Sequence, residues 1–201
     1  MQNVSIVSAL RTPVGSLGKT LKNVNAEDLG SAVIVENLKK LSLSKNEVDE
    51  VILGQVLTGG SGQNPARQAA IRSGISKETP AFIVNQVCGS GLRSVVSGYQ
   101  SIKSDDTKII IAGGQENMSL APHAIHLRDG KKLGDVELID TMIKDGLWDA
   151  FNRYHMGVTA ENVAEKFQIT RNEQDKFALR SQEKALKAQK ENKFKNEIIN
   201  F

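Results

Sequence analysis

A single cysteine, Cys88, lies in the stretch Ala81-Phe82-Ile83-Val84-Asn85-Gln86-Val87-Cys88-Gly89-Ser90-Gly91-Leu92. Residues 81–84 read as a strand, the small residues after them as a turn, and the apolar positions from Leu92 as the start of a helix. A thiol at such a junction meets unpaired helix amides and the positive end of the helix dipole, and both favour the thiolate. Gly89 and Gly91 leave room for a substrate carbonyl beside the sulfur. The Cys88 amide is placed to face an oxyanion during acyl transfer. Two other readings use the same residues. A free cysteine often serves as a small buried hydrophobe. Gly89-Ser90-Gly91-Leu92-Arg93-Ser94 is also one residue short of the dinucleotide fingerprint, with Glu116 as the only acid near the end of the next strand.

A cysteine nucleophile needs a base, normally histidine. The candidates are His123, His126 and His155. Their spacing marks no triad and contains no metal-binding His-Glu-x-x-His pattern, so the base stays unassigned. One cysteine excludes an intramolecular disulfide and a multi-cysteine zinc site, and no metal is expected.

These residues belong to a chain of 201 residues with 39% hydrophobic and 24% charged side chains, a globular composition. No apolar run approaches the roughly 18 residues of a membrane helix. Residues 1–5 lack the basic start and apolar stretch of a signal peptide, so a soluble cytoplasmic protein is expected. The net charge of +3 comes from residues 151–201, with 10 basic and 7 acidic side chains against 16 and 16 before them. A solvated helix face accounts for that excess. With 4% aromatics there is little for bases to stack on, and no nucleic-acid partner is expected.

The positioning elements follow from periodicity. Residues 4–10 read as a strand, and a helix capped by Asn25 runs to Leu41 with Leu29, Val33, Leu38 and Leu41 at helical spacing. Ser44-Lys45-Asn46-Glu47 is a capping box expected to open a short helix. Strands follow at 51–53, 81–84 and 108–112, the last suited to burial on both faces, with helices at 65–72 and 92–102. The second of these helices is expected to pack through Leu92, Val95, Val96, Tyr99 and Ile102. This alternation argues for an α/β fold with helices around a mostly parallel sheet. From residue 117 to 158 the pattern is irregular. Helices resume at 159–167 and, behind the capping box Thr170-Arg171-Asn172-Glu173, to about Asn192. The division is therefore 1–116 and 117–201. Residues 198–201 read as the start of a strand without a partner.

Asn85-Gln86-Val87-Cys88-Gly89-Ser90-Gly91 resembles the active-site segment of the thiolase family, in particular its biosynthetic acetyl-CoA acetyltransferases. Arg11-Thr12-Pro13-Val14-Gly15, Gly62-Gln63-Asn64-Pro65-Ala66-Arg67-Gln68, Gly113-Gly114-Gln115-Glu116-Asn117-Met118-Ser119 and Tyr154-His155-Met156-Gly157 are similar to family segments in family order. The resemblance implies the N-terminal half of a thiolase-like layered fold, with 1–116 as the half-fold and 117–201 as a loop domain for substrate and oligomer contacts. It implies condensation of two acetyl-CoA to acetoacetyl-CoA and CoA, or the reverse thiolysis, through an acyl-thioester on Cys88. Leu147, His155 and Met156 are implied beside the pantetheine arm. A homodimer or homotetramer is implied, with residues 128–134 in the tetramer contact, and no prosthetic group. The family's catalytic histidine, second cysteine and oxyanion asparagine belong to a second half. This chain alone is therefore expected to be inactive.

Overall fold

Val51, Ile52 and Leu53 form the middle of β1 (Glu50–Gly54), and all three are enclosed, at 0%, 1% and 4% exposure. The structure, a computed structural model, describes residues 3–201. Met1 and Gln2, on which the reading of the chain start partly rests, lie outside them. β1 pairs in parallel with β2 (Ala81–Val84) and β3 (Ile110–Gly114), so the order is β2–β1–β3. Ile52 stands opposite Phe82 on one side and Ala112 on the other.

Alternation along β1 sends Val51 and Leu53 to one face, where they join Ile34, Leu38, Ala66, Ala69 and Ala70. Those residues come from α1 (Ala26–Leu41) and α2 (Pro65–Arg72). α3 (Ser90–Lys103) covers the opposite face. The result is the expected α/β architecture, a parallel sheet flanked by helices. α2 is fixed at both ends of its approach. Asn64 Oδ1 accepts from the Arg67 amide, Asn64 Nδ2 donates to the Ala81 carbonyl at 2.8 Å, and Pro65 occupies the first turn.

Several expectations are corrected. Residues 4–10 form no ladder among the described residues, and Ile6 and Val7 are exposed. A strand needs a neighbour's backbone as well as β-branched side chains. Only half of the Ser44 box forms: the Ser44 amide donates to Glu47 Oε2 at 2.7 Å, but the Glu47 amide donates to the Ser44 carbonyl, closing a turn and no helix. Asp49 ends the turn by accepting from the Lys108 and Ile109 amides, which aligns β1 for pairing at once. β3 begins at Ile110, after the Lys108 and Ile109 amides have been taken up by the Asp49 carboxylate and the Ile109 carbonyl by the Asp49 amide. β3 is half-buried at most, as the outer neighbour of β1. The buried stripe of α1 is Ala26, Glu27, Gly30, Ser31, Ile34 and Leu38, while Leu41 is exposed. Asn25 holds the N-cap position, yet its side chain bonds Asp28 and no backbone amide.

α3 departs most. Its buried residues are Ser90, Ser94 and Gly98, whereas Leu92, Val96 and Tyr99 face outward. The backbone comes too close for larger side chains: a Cβ on Gly98 would stand 3.2 Å from Ile110 Cγ2.

The chain forms two compact units, one of residues up to Gly146 with Ile199–Phe201, the other Leu147–Ile198. Residues 117–146 thus fold with the sheet-bearing unit. They contain a 3-10 turn at Met118–Leu120, an antiparallel pair of β4 (His123–Ala124) with β5 (Ile139–Asp140), and a π-helical segment from Met142. Ile199, expected to lack a partner, is buried and donates its amide to the Arg11 carbonyl at 2.9 Å. The second unit holds α4 (Met156–Lys166) and α5 (Arg171–Lys190), and α5 begins with the expected Thr170–Glu173 capping box. Among the described residues no helix is long and apolar enough to cross a membrane.

Candidate active site

The turn from β2 into α3 carries Cys88, and its side chain is exposed. That exposure overturns the buried-hydrophobe reading. Hydrogen bonds converge on the turn. The Asn85 Oδ1 accepts from the Val87 amide at 2.9 Å, and the Gly89 and Ser90 amides donate back to the Gln86 and Val87 carbonyls. The Ser90 Oγ accepts from the Gln86 amide at 2.9 Å and donates to the Val87 carbonyl at 2.6 Å. At the start of α3 the Gly91 and Leu92 amides donate to no backbone carbonyl among the described residues. They provide the partial positive charge that a thiolate or an oxyanion next to it needs.

The turn stands at the carboxyl ends of three parallel strands, where ligands of open α/β sheets usually bind. Glu116, just beyond β3, accepts from the Val56 and Leu57 amides just beyond β1, at 2.8 and 3.3 Å. Burial pushes its carboxyl above the usual carboxylate range, against the two amides that pull it down. Each Glu116 oxygen accepts from a backbone amide, so the carboxylate braces the strand ends, a different use from the ribose contact of the dinucleotide reading. Behind it, Gln115 Nε2 donates to Gln55 Oε1 and Gln55 Nε2 to the Leu57 carbonyl, a buried polar pair bracing two strand ends.

The other sequence-derived site residues lie in the second compact unit. Leu147 opens it, half-buried, and an antiparallel bridge between Trp148 and His155 leaves Leu147 and Met156 next to that pair, on the same side of it. His155 is exposed and caps α4, its Nδ1 accepting from the Gly157 amide at 2.9 Å. Met156 is the first helical residue and partly exposed. Among the described residues of its own unit, Cys88 bonds to neither His123 nor His126. His123 in β4 has its Nε2 4.0 Å from Asp140 Oδ2. No three His, Cys, Asp or Glu side chains among the described residues are grouped to hold a metal.

Residues 4–201 match the family described as the thiolase N-terminal domain. The chain belongs to the thiolase family. It is 58% identical, over its whole length, to an acetyl-CoA acetyltransferase of Rhizobium meliloti (strain 1021), of which it covers 52%. It is 55% identical to one from Paracoccus denitrificans over 99% of this chain and 51% of that protein. A probable acetyl-CoA acyltransferase of Staphylococcus aureus (strain COL) is 49% identical, with the same two coverages. The chain spans about half the length of the curated relatives it matches.

In this thiolase domain the segments that carry the resemblance brace loops other than the cysteine turn. Arg67 holds the Thr79 and Lys77 carbonyls, and Gln68 Nε2 holds those of Ser61 and Gln63. Asn117 Nδ2 holds the Leu21 and Val24 carbonyls, and Ser119 Oγ accepts from the Gly18 amide. Sequence reasoning missed Asn85, Ser90 and Glu116 as supports. Asn85 carried a signal, since an asparagine two residues before a turn amide often bonds it. Ser90 carried a weak one, since a serine often bonds backbone groups three or four residues before it; Glu116 carried none, because its partners are set by tertiary geometry.

Proposed function

We propose that this chain is the nucleophile-bearing half of an acetyl-CoA acetyltransferase. The observation that carries the reading is the exposed Cys88 side chain at the N-terminus of α3, on a turn fixed by hydrogen bonds. The Cys88 thiolate attacks the acetyl-CoA carbonyl carbon, the bond from that carbon to the CoA sulfur breaks, and CoA leaves to take up a proton. The amides at the start of α3 stabilise the oxyanion. A second acetyl-CoA, deprotonated at its methyl carbon, then attacks the Cys88 thioester. Acetoacetyl-CoA leaves and the thiolate is restored.

Leu147, His155 and Met156 bind the pantetheine arm. The division at residue 117 is a functional one, where substrate and oligomer contacts begin, with residues 128–134 in the contact of a cytoplasmic dimer or tetramer. No prosthetic group takes part. The base and second cysteine come from a C-terminal half, so the 201-residue chain does not turn over and goes no further than one acetyl transfer to Cys88. Support for that dependence is the half-length span against its relatives. Mixing the chain with acetyl-CoA tests both points. About one equivalent of CoA should be released, and none from Cys88→Ser. Release continuing beyond one equivalent would overturn the dependence, and no release would count against the nucleophile.

A further inference from the structure

Val87, directly before Cys88, has a φ of 49°. A β-branched residue in the left-handed region is strained and persists only where its surroundings hold it. Two side chains do so. Asn85 Oδ1 accepts from the Val87 amide, and Ser90 Oγ reaches back past Cys88 to bond the Gln86 amide and the Val87 carbonyl. Ser90 is itself immobilised: it is 4% exposed, and its backbone rests on Gly54 of β1, where a Cβ would overlap it. The sheet, Gly54, Ser90 and the strained turn therefore form one mechanical series ending at the sulfur.

We infer that Ser90 is a positioning residue for Cys88, its buried hydroxyl holding the positive-φ turn that presents the sulfur at the mouth of α3. The inference rests on the reading of Cys88 as the nucleophile. Ser94 supplies the internal comparison. It is one turn further along α3 and fully buried, and its Oγ donates to the Gly91 and Gly113 carbonyls. It ties the helix to the sheet without touching the turn.

The rate of Cys88 alkylation by iodoacetamide at fixed pH, mapped by peptide mass, reads the presentation of the sulfur without any acyl-CoA. Failure here is therefore distinguishable from failure of acetyl transfer. S90A should slow alkylation about tenfold, as the sulfur leaves the helix-start amides that favour its thiolate, while S94A leaves it unchanged. S90T restores the hydroxyl and should restore the rate. V87G/S90A should also recover it, because glycine takes a φ of 49° without a brace. Recovery in either variant supports the inference, including where S90A alone fails to fold. An S90A rate equal to wild type, or a loss that neither S90T nor V87G/S90A reverses, overturns it.

Discussion

Gly54 on β1 lies directly beneath Gly91 on α3, so close that a Cβ at position 54 would stand 2.5 Å from the Gly91 amide nitrogen. Only a hydrogen at position 54 lets the helix N-terminus reach the sheet. Gly54→Ala must displace that N-terminus or bend the strand, and overpacking of this kind costs about 1–3 kcal/mol. The urea midpoint should fall accordingly, and Cys88 alkylation should slow with it. A change below about 0.5 kcal/mol would mean that the helix start yields easily.

Asp49 gives the stability a pH signature. Its carboxylate accepts from the Ile109 and Lys108 amides, which hold it below its ordinary value of 3.8. A carboxylate depressed in the folded state contributes stability that is present above 3.8 and lost as pH falls through its folded value. The urea midpoint of the wild type should therefore drop more steeply below about pH 4 than that of Asp49→Asn, which keeps an acceptor without the charge. Parallel profiles for the two proteins would remove Asp49 from the account.

His155 caps α4 and is proposed to bind the pantetheine arm, two uses that substitution can separate. Its Nδ1 caps α4 through the Gly157 amide. His155→Ala should cost about 1 kcal/mol through the lost cap, and His155→Asn, a good cap, should recover most of it. If the side chain also binds the pantetheine arm, the asparagine variant keeps stability but raises KM in the complete enzyme. An asparagine variant with unchanged KM would leave His155 a cap and nothing more.

Much of this arrangement was legible from residues. Asn64-Pro65 marks the start of α2 because proline suits a first helical turn, and Thr170–Glu173 marks α5 by a reciprocal pair of bonds. Cys88 stood out because a thiol between a β-branched run and a glycine turn meets the amides of a helix start, although a buried hydrophobe and a dinucleotide turn were open readings of the same residues. The inner face of α3 was read the wrong way round for a physical reason. Periodicity assigns the apolar stripe to the core, but here the backbone approaches the sheet through Ser90, Ser94 and Gly98 and leaves Leu92 and Tyr99 outside. Residues 4–10 failed as a strand because pairing depends on a neighbour that composition does not show. The Ser90 brace went unread although its partners lie only three and four residues back, because the positive φ at Val87 that brings them into reach does not show in composition.

Acetyl transfer to Cys88 tests the central claim most directly. After incubation with labelled acetyl-CoA, the protein is digested under acid conditions that preserve thioesters, and the label is located by peptide mass. The account requires one acetyl group on the peptide containing Cys88, removed by added CoA and absent from Cys88→Ser. Label on any other residue, or none on Cys88 in the folded protein, would contradict it.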